Sequence, residues 1–243
     1  MKKFKALLFD INGTVSNIYT SESDEELYRV TANFLKFHGV QISPGELKAL
    51  YFDLNRQQRH ESSEQFPEFD VEKIFQSVID EYGADAACDP GLAALAATVY
   101  RAASMYLLEP YTGVTEVLTM MKKSYRLAAV SDGQSLWARP ELRMAGLDKF
   151  FEFAIVSGDH GFRKPDKRMF ELALEKLEIA PHEAVYVGND MYRDVFGCKN
   201  AGLKSIFFKS NQGEHSFAGA EPDYIIYNFN ELPRAVEFLE QNS

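Results

Sequence analysis

The sequence predicts an α/β fold, in which a three-layer core with a parallel sheet carries an inserted all-helical domain. From Glu109 onward, short apolar segments alternate with amphipathic helical segments, which is typical of βαβ crossovers and a parallel sheet. Between residues 15 and 108, apolar residues recur at helical spacing and no segment has a convincing strand pattern. We therefore predict a core of residues 1–14 and 109–243 and a helical cap of residues 15–108.

Four helices are predicted in the cap. Ser23 and Glu26 have the spacing of a capping box at the start of the first helix, and residues 43–46 open the second with Pro44 at its first position. The polar segment 55–70 is predicted to be irregular or weakly helical. Apolar stripes predict the remaining two helices over residues 71–79 and 91–108.

The core begins with an apolar segment, residues 5–9, that ends abruptly in Asp10. Proline disrupts helix interiors, so the helix predicted after residue 134 is expected to break near Pro140. Further strands are predicted over residues 125–130, 153–156, 184–187, 203–208 and 224–226. Helices are predicted over residues 114–123, 134–145, 166–177, 191–201 and 231–239. Because the cap leaves the core directly after the first strand, we expect it to cover the strand ends as a lid.

Composition limits the possible partners. The net charge of −10 disfavours binding to nucleic acid or to an anionic membrane, and no segment reaches transmembrane length. The two cysteines, Cys88 and Cys198, are far apart, which suits a reducing compartment. We expect a cytoplasmic protein, either a monomer or a homodimer.

Polar residues follow four of the apolar segments: Asp10, Ser131, Lys164 and Asp190. Each has a plain alternative as a helix cap, a first-turn acid or a solvated loop residue. A parallel sheet, however, brings the carboxyl ends of its strands to one edge. We therefore expect the four side chains to meet in one crevice.

This set of residue types suits phosphoryl transfer. A carboxylate such as Asp10 can accept a phosphoryl group when nearby cations offset its charge. Mg²⁺ prefers oxygen ligands and phosphate, so Asp190 beside Asp10 is a candidate ligand. A hydroxyl, the amides at a helix start and an ammonium group are suitable donors to phosphate. The predicted substrate-binding residues in the core are Ser131, Asp132, Gly133 and Lys164.

The chain resembles the haloacid dehalogenase-like hydrolases that carry a helical cap after their first motif. Four segments in order carry the resemblance: Asp10-Ile11-Asn12-Gly13-Thr14, Val130-Ser131-Asp132-Gly133, Gly161-Phe162-Arg163-Lys164-Pro165-Asp166 and Gly188-Asn189-Asp190-Met191-Tyr192-Arg193-Asp194. The resemblance implies a Rossmann-like core and a phosphatase that acts on a small phosphorylated metabolite. It also implies that Asp10 forms an aspartyl-phosphate with the help of Mg²⁺.

Two positions depart from the family pattern. Asn12 stands where family phosphatases carry an Asp that protonates the leaving oxygen and then activates water. Asn189 stands where the fourth motif has its first Asp. The residues implied in catalysis are Asp10, Asn12, Ser131 and Lys164, and the implied metal ligands are Asp10, Asn12, Asn189, Asp190 and Asp194.

The amide at position 12 leaves two hypotheses open. An amide has no proton to give and is no general base, so activity on alkyl phosphates is expected to be weak, with water or a cap group filling the role. Acyl and aryl phosphates have better leaving groups and are expected to suffer less. Alternatively, Asn12 deamidates to a carboxylate, since the following Gly13 offers little steric hindrance to succinimide formation.

Other functions remain open at this level. A non-catalytic phospholigand-binding or regulatory protein would tolerate both departures. A 2-haloacid dehalogenase also uses an Asp nucleophile, but the usual tyrosine at position 12 and the Ser-Asn-x-x-Asp fourth motif are absent. In the cap, Arg56 and Arg59 are candidates to bind a second anionic group of the substrate.

Overall fold

The computed structural model describes residues 3–83 and 90–242, so Cys88 lies outside the described residues. The strands of this described part are β1 (Ala6–Phe9), β2 (Ser16–Thr20), β3 (Met105–Pro110), β4 (Arg126–Ser131), β5 (Ala154–Val156), β6 (Ala184–Gly188), β7 (Lys204–Phe208) and β8 (Tyr224–Ile226). The α-helices are α1 (Glu25–Phe37), α2 (Pro44–Glu61), α3 (Val71–Tyr82), α4 (Leu92–Ser104), α5 (Val114–Met121), α6 (Ser135–Met144), α7 (Arg168–Leu177), α8 (Gly197–Asn200) and α9 (Leu232–Gln241).

The core is the predicted parallel sheet, with strand order β5-β4-β1-β6-β7-β8. Alternate residues of β1 face opposite layers, as the period of a strand requires. Leu7 and Phe9 pack in the cluster that includes α5 and α9, whereas Leu8 packs with α7. Phe9 aligns with Ala129 of β4 and Val187 of β6, so the carboxyl ends of the three central strands meet at one edge. The prediction of a three-layer α/β core is confirmed.

Helices α1 to α4 form the cap and enclose a second apolar core. Its largest fully buried side chains include three tyrosines, Tyr28, Tyr51 and Tyr100. The helix α2 extends to Glu61, so the first part of segment 55–70 is regular helix rather than irregular chain. Helix α2 begins at Pro44 as predicted, and Ser43 forms a capping box that was not predicted, with its side chain accepting from the Glu46 amide.

The cap is joined to the core by a two-stranded antiparallel ribbon of β2 and β3, which the prediction of an all-helical insert missed. The two strands lie at opposite ends of the insert, so their pairing cannot be recognised from the sequence around either strand. Strand β3 crosses the predicted boundary at residues 108/109, whereas β2 begins at Ser16, just inside the predicted boundary at residues 14/15. The division of the chain into two domains at those boundaries stays a prediction.

Two helix details also differ from the prediction. The N-cap of α1 is Asp24, not Ser23, because the Asp24 carboxylate accepts from the Glu26 amide. Helix α6 continues through Pro140 instead of breaking there. Residues on both sides of Pro140, Trp137 and Glu141, contact helix α4, and these contacts hold the turn in helical form. Among the described residues, no helix is both long and apolar enough to cross a membrane.

Candidate active site

The centre of the site is a buried ion pair network at the carboxyl ends of the central strands. Lys164 Nζ lies 2.7 Å from Asp10 Oδ1 and 2.7 Å from Asp194 Oδ1. It also donates to Tyr186 Oη at 3.1 Å and to the Val130 carbonyl at 3.3 Å. Asp10, Lys164 and Asp194 are only 6%, 2% and 1% exposed. One ammonium group is therefore shared by two carboxylates that come from distant parts of the chain.

Burial and charge act in opposite directions on these groups. Burial raises the pKa of Asp10 to about 6, although the Lys164 ammonium beside it opposes this shift. For Lys164, burial disfavours the charged form, but the carboxylates of Asp10 and Asp194 outweigh it and raise its pKa. Lys164 is therefore held as a cation next to Asp10. This is the countercharge that a carboxylate needs before it can attack a phosphate.

The loop after β1 contacts the loop after β6 at Asn189. The Thr14 hydroxyl lies 3.0 Å from Asp10 Oδ2 and 3.1 Å from Asn189 Oδ1. Gly13 has φ of +88°, and a Cβ at this position would lie 2.3 Å from Asn189 Nδ2. Only glycine fits this close approach without displacing Asn189. Asn189 and Asp10 are therefore linked through the Thr14 hydroxyl that both contact.

Asp194 organises the loop after β6. Its Oδ2 accepts from the amides of Asn189 and Asp190, both at 3.0 Å, while its Oδ1 accepts from Lys164 and from the Tyr186 hydroxyl. All of these partners are buried or nearly so. Asp194 thus connects the main chain of the fourth motif with the lysine of the third.

Asp190 caps the turn that follows β6. It caps the π-helical turn Met191–Phe196, with Oδ1 accepting from the amides of Tyr192 and Arg193. Its Oδ2 accepts from Arg193 Nε at 3.0 Å and from the Glu214 amide at 3.1 Å. Although burial opposes ionisation, the Arg193 amide and guanidinium lower the pKa of Asp190. Both carboxylate oxygens accept hydrogen bonds in this geometry, and the assignment of Asp190 as a metal ligand stays a prediction.

The second motif lies next to Lys164 but contributes fewer free donors than predicted. Ser131 is buried, with its hydroxyl 3.3 Å from the Asp132 carbonyl. Asp132 accepts from the Lys164 amide at 3.0 Å through Oδ1. The Gly133 amide donates to Ser157 Oγ at 2.8 Å, so it is not free for phosphate in this geometry. The phosphate cradle at residues 131–133 stays a prediction, and its Gly133 amide is already bonded in this structure.

Asn12 lies at the edge of the site, between the core and the cap. Its Oδ1 accepts from Ser16 Oγ at 2.9 Å, and its Nδ2 lies 3.5 Å from Glu141 Oε2. The Gly13 amide donates to the Ser16 carbonyl at 2.8 Å. Because that nitrogen would have to attack the Asn12 side chain during succinimide formation, these contacts oppose deamidation.

The two cap arginines have different surroundings. Arg56 is exposed and pairs with Asp53 on its own helix, so the structure does not bring it to the site. Arg59 is more enclosed: it lies 3.4 Å from Glu68 Oε1 and stacks over the Phe69 ring, and its Nε is buried without a hydrogen-bond partner among the described residues. Glu68 in turn accepts from Ser157 Oγ at 2.8 Å. Arg59 is thus connected to the Gly133 amide through two intervening residues, Glu68 and Ser157.

Sequence reasoning missed three polar residues that shape the site. Tyr186 lies inside β6 and reads as a strand residue, whereas Glu68 and Glu141 lie in a polar cap segment and a core helix, where acids are usually solvated. Each is buried against a site residue: Tyr186 contacts Lys164, Glu68 contacts Ser157 and Glu141 contacts Asn12. No sequence signal marks the two glutamates, because their partners lie far away along the chain.

The site suits Mg²⁺ only with help from a substrate phosphate. Within the described residues, no three carboxylate, imidazole or thiolate side chains form a metal-binding group. Two side-chain oxygens share a neighbour here, since Asp10 Oδ2 and Asn189 Oδ1 both lie within 3.1 Å of Thr14 Oγ1. Mg²⁺ usually binds through one or two carboxylates and completes its sphere with water and phosphate oxygens. Asp10 and Asn189 have the right donor chemistry, with less negative charge than two carboxylates would provide.

Comparisons with known proteins agree with this geometry. Residues 46–208 match the family model described as haloacid dehalogenase-like hydrolase, which is more than half of the chain. The chain is 26% identical over 245 residues to a glyceraldehyde 3-phosphate phosphatase from Pyrococcus furiosus, covering 100% of this chain and 96% of that protein. It is 27% identical over 237 residues to a glyceraldehyde 3-phosphate phosphatase from Methanopyrus kandleri, covering 97% and 96%.

Solved structures show the same fold. A 2-haloacid dehalogenase from Pseudomonas syringae superposes with a TM-score of 0.71 at 20% identity, covering 97% of this chain and 99% of that one. The magnesium-bound hydrolase YfnB from Bacillus subtilis superposes with a TM-score of 0.56 at 22% identity, covering 97% and 100%. At these identities the likeness concerns the fold alone.

Proposed function

The chain belongs to the haloacid dehalogenase-like hydrolases and is a phosphatase of that family, and we propose that it hydrolyses a small phosphorylated metabolite of the size of glyceraldehyde 3-phosphate. Two full-length relatives carry that substrate in their names. The observation that carries the reaction type is the shared ammonium of Lys164, which lies 2.7 Å from both Asp10 and Asp194. It offsets the charge of Asp10 where a phosphoryl group would be transferred.

The proposed reaction has two steps. In the first, the Asp10 carboxylate attacks phosphorus, the bond between phosphorus and the ester oxygen breaks, and the leaving oxygen takes a proton from water. In the second, water attacks the phosphorus of the aspartyl-phosphate, and inorganic phosphate and the free carboxylate form. Lys164 stabilises the charge throughout, and Ser131 would donate to a phosphate oxygen. Mg²⁺ held by Asp10 and Asn189 would neutralise further phosphate charge when bound.

The amide at position 12 sets the expected substrate preference. Asn12 cannot protonate the leaving oxygen, and a positioned acid is worth about 10²–10⁴-fold in rate. Alkyl phosphates such as glyceraldehyde 3-phosphate are therefore expected to turn over slowly. Acetyl phosphate, whose leaving group needs no proton, is expected to form the aspartyl-phosphate readily.

Trapping tests the proposal directly. The protein is incubated with Mg²⁺ and acetyl phosphate, quenched in acid and digested, and the peptide that contains Asp10 is examined for an added phosphoryl group. Steady-state release of phosphate is measured in parallel for glyceraldehyde 3-phosphate, with and without Mg²⁺, and halide release from 2-chloropropionate serves as the dehalogenase control. We expect phosphorylation at Asp10, Mg²⁺-dependent phosphate release and no halide. An unmodified Asp10 together with phosphate binding but no turnover would instead indicate a non-catalytic phospholigand-binding protein.

A further inference from the structure

Helix α6 of the core and helix α4 of the cap touch along one face of each. Trp137 and Glu141 are one turn apart on α6, and Ala97 and Arg101 are one turn apart on α4. Trp137 Nε1 donates to the Ala97 carbonyl at 2.9 Å, and Arg101 Nε donates to Glu141 Oε1 at 2.6 Å. The Arg101 guanidinium also lies over the Trp137 ring, 5.0 Å from its centroid. This face joins the cap to the core.

The carboxylate of Glu141 is buried, and one of its oxygens contacts the cap while the other faces the site. Its side chain is 4% exposed, and that of Arg101 is 15% exposed. A buried carboxylate needs a cation or hydrogen bonds to stay ionised, and Arg101 supplies both through Oε1. The other oxygen, Oε2, faces Asn12 Nδ2 at 3.5 Å. Glu141 therefore presents negative charge to the side chain at position 12.

The amide of Asn12 matches these neighbours at both ends. Its oxygen accepts from Ser16 Oγ at 2.9 Å, and its nitrogen is the end that faces Glu141. An ionised carboxylate at position 12 would have only acceptor atoms, so one of its oxygens would face Glu141 Oε2. Like charges so close together and so shielded from water are destabilising.

We propose, on the basis of the proposed function, that Glu141 is a positioning residue for Asn12 and that the amide at position 12 is matched to this carboxylate. Glu141 orients the Asn12 side chain in the site. Because Glu141 is bound by Arg101 of the cap, this orientation requires that the cap contacts the core. The departure from the family pattern at position 12 is thus one half of a pair whose other half is Glu141.

A double-mutant cycle with N12D and E141Q tests the pair. Thermal unfolding is measured without Mg²⁺ for the parent, both single variants and the double variant. The side-chain amide that E141Q introduces can donate to the carboxylate that N12D introduces. The double variant is therefore expected to melt about 2–4 °C above the value that adding the two single effects gives, corresponding to roughly 1 kcal/mol of coupling. The matched control is N12D with E152Q, since Glu152 pairs with Arg126 at the surface, and there the effects should add.

Kinetics separates positioning from mere stability. E141Q is expected to lower kcat for glyceraldehyde 3-phosphate about tenfold, because small misplacements near reacting groups are costly, while KM changes less than about twofold. In the N12D background, E141Q is expected to raise kcat instead. Additive melting effects, or an E141Q variant with parental kcat, would overturn the inference. Absence of turnover in the parent would contradict the proposed function. The double-mutant cycle measures only stability, so it tests the interaction between Asn12 and Glu141 whether or not the protein turns over substrate.

Discussion

The carboxylate side of the site, around Asp10, and the amide side, around Asn12, are held in different ways. Asp10 is fixed by core residues through contacts of 2.7 and 3.0 Å to Lys164 and Thr14. Asn12 is fixed by Ser16 and by Glu141, a residue that is itself bound to the cap. The groups that contact Asp10 therefore lie in the core alone, whereas the contacts of position 12 reach the cap through Glu141. In the mechanism that we propose, the chain has the charged groups for the first step and an amide, which cannot transfer a proton, at position 12.

The largest effect is expected for Asp10→Asn, which removes the nucleophile and nearly keeps its shape. Turnover should fall by at least about 10³-fold, because an amide in place of the Asp10 carboxylate cannot accept the phosphoryl group. Phosphate release is measured against N12D prepared in parallel. Parental turnover by the Asp10→Asn variant would place the chemistry elsewhere in the molecule.

Replacing the shared cation is expected to affect both activity and stability. Lys164→Met leaves Asp10 and Asp194 without their counterion, and breaking a buried pair typically costs about 3–5 kcal/mol. Urea unfolding gives the free energy of unfolding. Lys204→Met is the matched control, because Lys204 and Asp223 pair at 2.8 Å where Lys204 is 41% exposed, so about 0–1 kcal/mol is expected. Equal losses of unfolding free energy in the two variants would show that the buried ion pairs of Lys164 contribute no more than the exposed pair of Lys204.

The proposed Mg²⁺ site is tested by Asn189→Asp, which adds a carboxylate at this position of the loop after β6. Calorimetric titration with Mg²⁺ should show binding at least about tenfold tighter, since ligand charge is a main determinant of affinity for hard cations. Asp190→Asn is the control. That change should leave Mg²⁺ affinity nearly unaltered. It should lower stability only slightly, because Asn can still cap the turn while the ion pair with Arg193 is lost. If Asp190→Asn abolishes Mg²⁺ binding, our assignment of the two neighbouring residues is wrong.

The last effect concerns the contact between cap and core. Trp137→Phe removes the hydrogen bond to the Ala97 carbonyl and is expected to cost about 1–3 kcal/mol of stability. Phe37→Ala, at a side chain that is 87% exposed, should change stability by less than about 0.5 kcal/mol. Thermal unfolding of both variants, with the parent as reference, checks the difference.

The parallel sheet and the meeting of Asp10 with Lys164 were predictable because both follow from apolar strand patterns and from the geometry of parallel strands. The β2–β3 ribbon was not, since its strands are separated by the whole cap and each lacks an apolar alternation of its own. The sequence also did not predict that Asn189 contacts Thr14 beside Asp10 while Asp190 caps the next turn. This difference depends on the π-helical turn that follows and on the missing Cβ of Gly13.

The cap segment before α3 joins the core loop that leads to Lys164. The Glu68 amide donates to the Gly161 carbonyl at 2.9 Å, and the Arg163 amide donates to the Phe66 carbonyl at 2.9 Å. Any separation of cap and core has to expose these two main-chain protons to solvent. Their rates of exchange with deuterium therefore report the free energy of cap opening, and a ligand bound beneath the cap should slow both together. Exchange at the Glu68 and Arg163 amides would therefore report separation of the cap from the core at a position adjacent in sequence to Lys164.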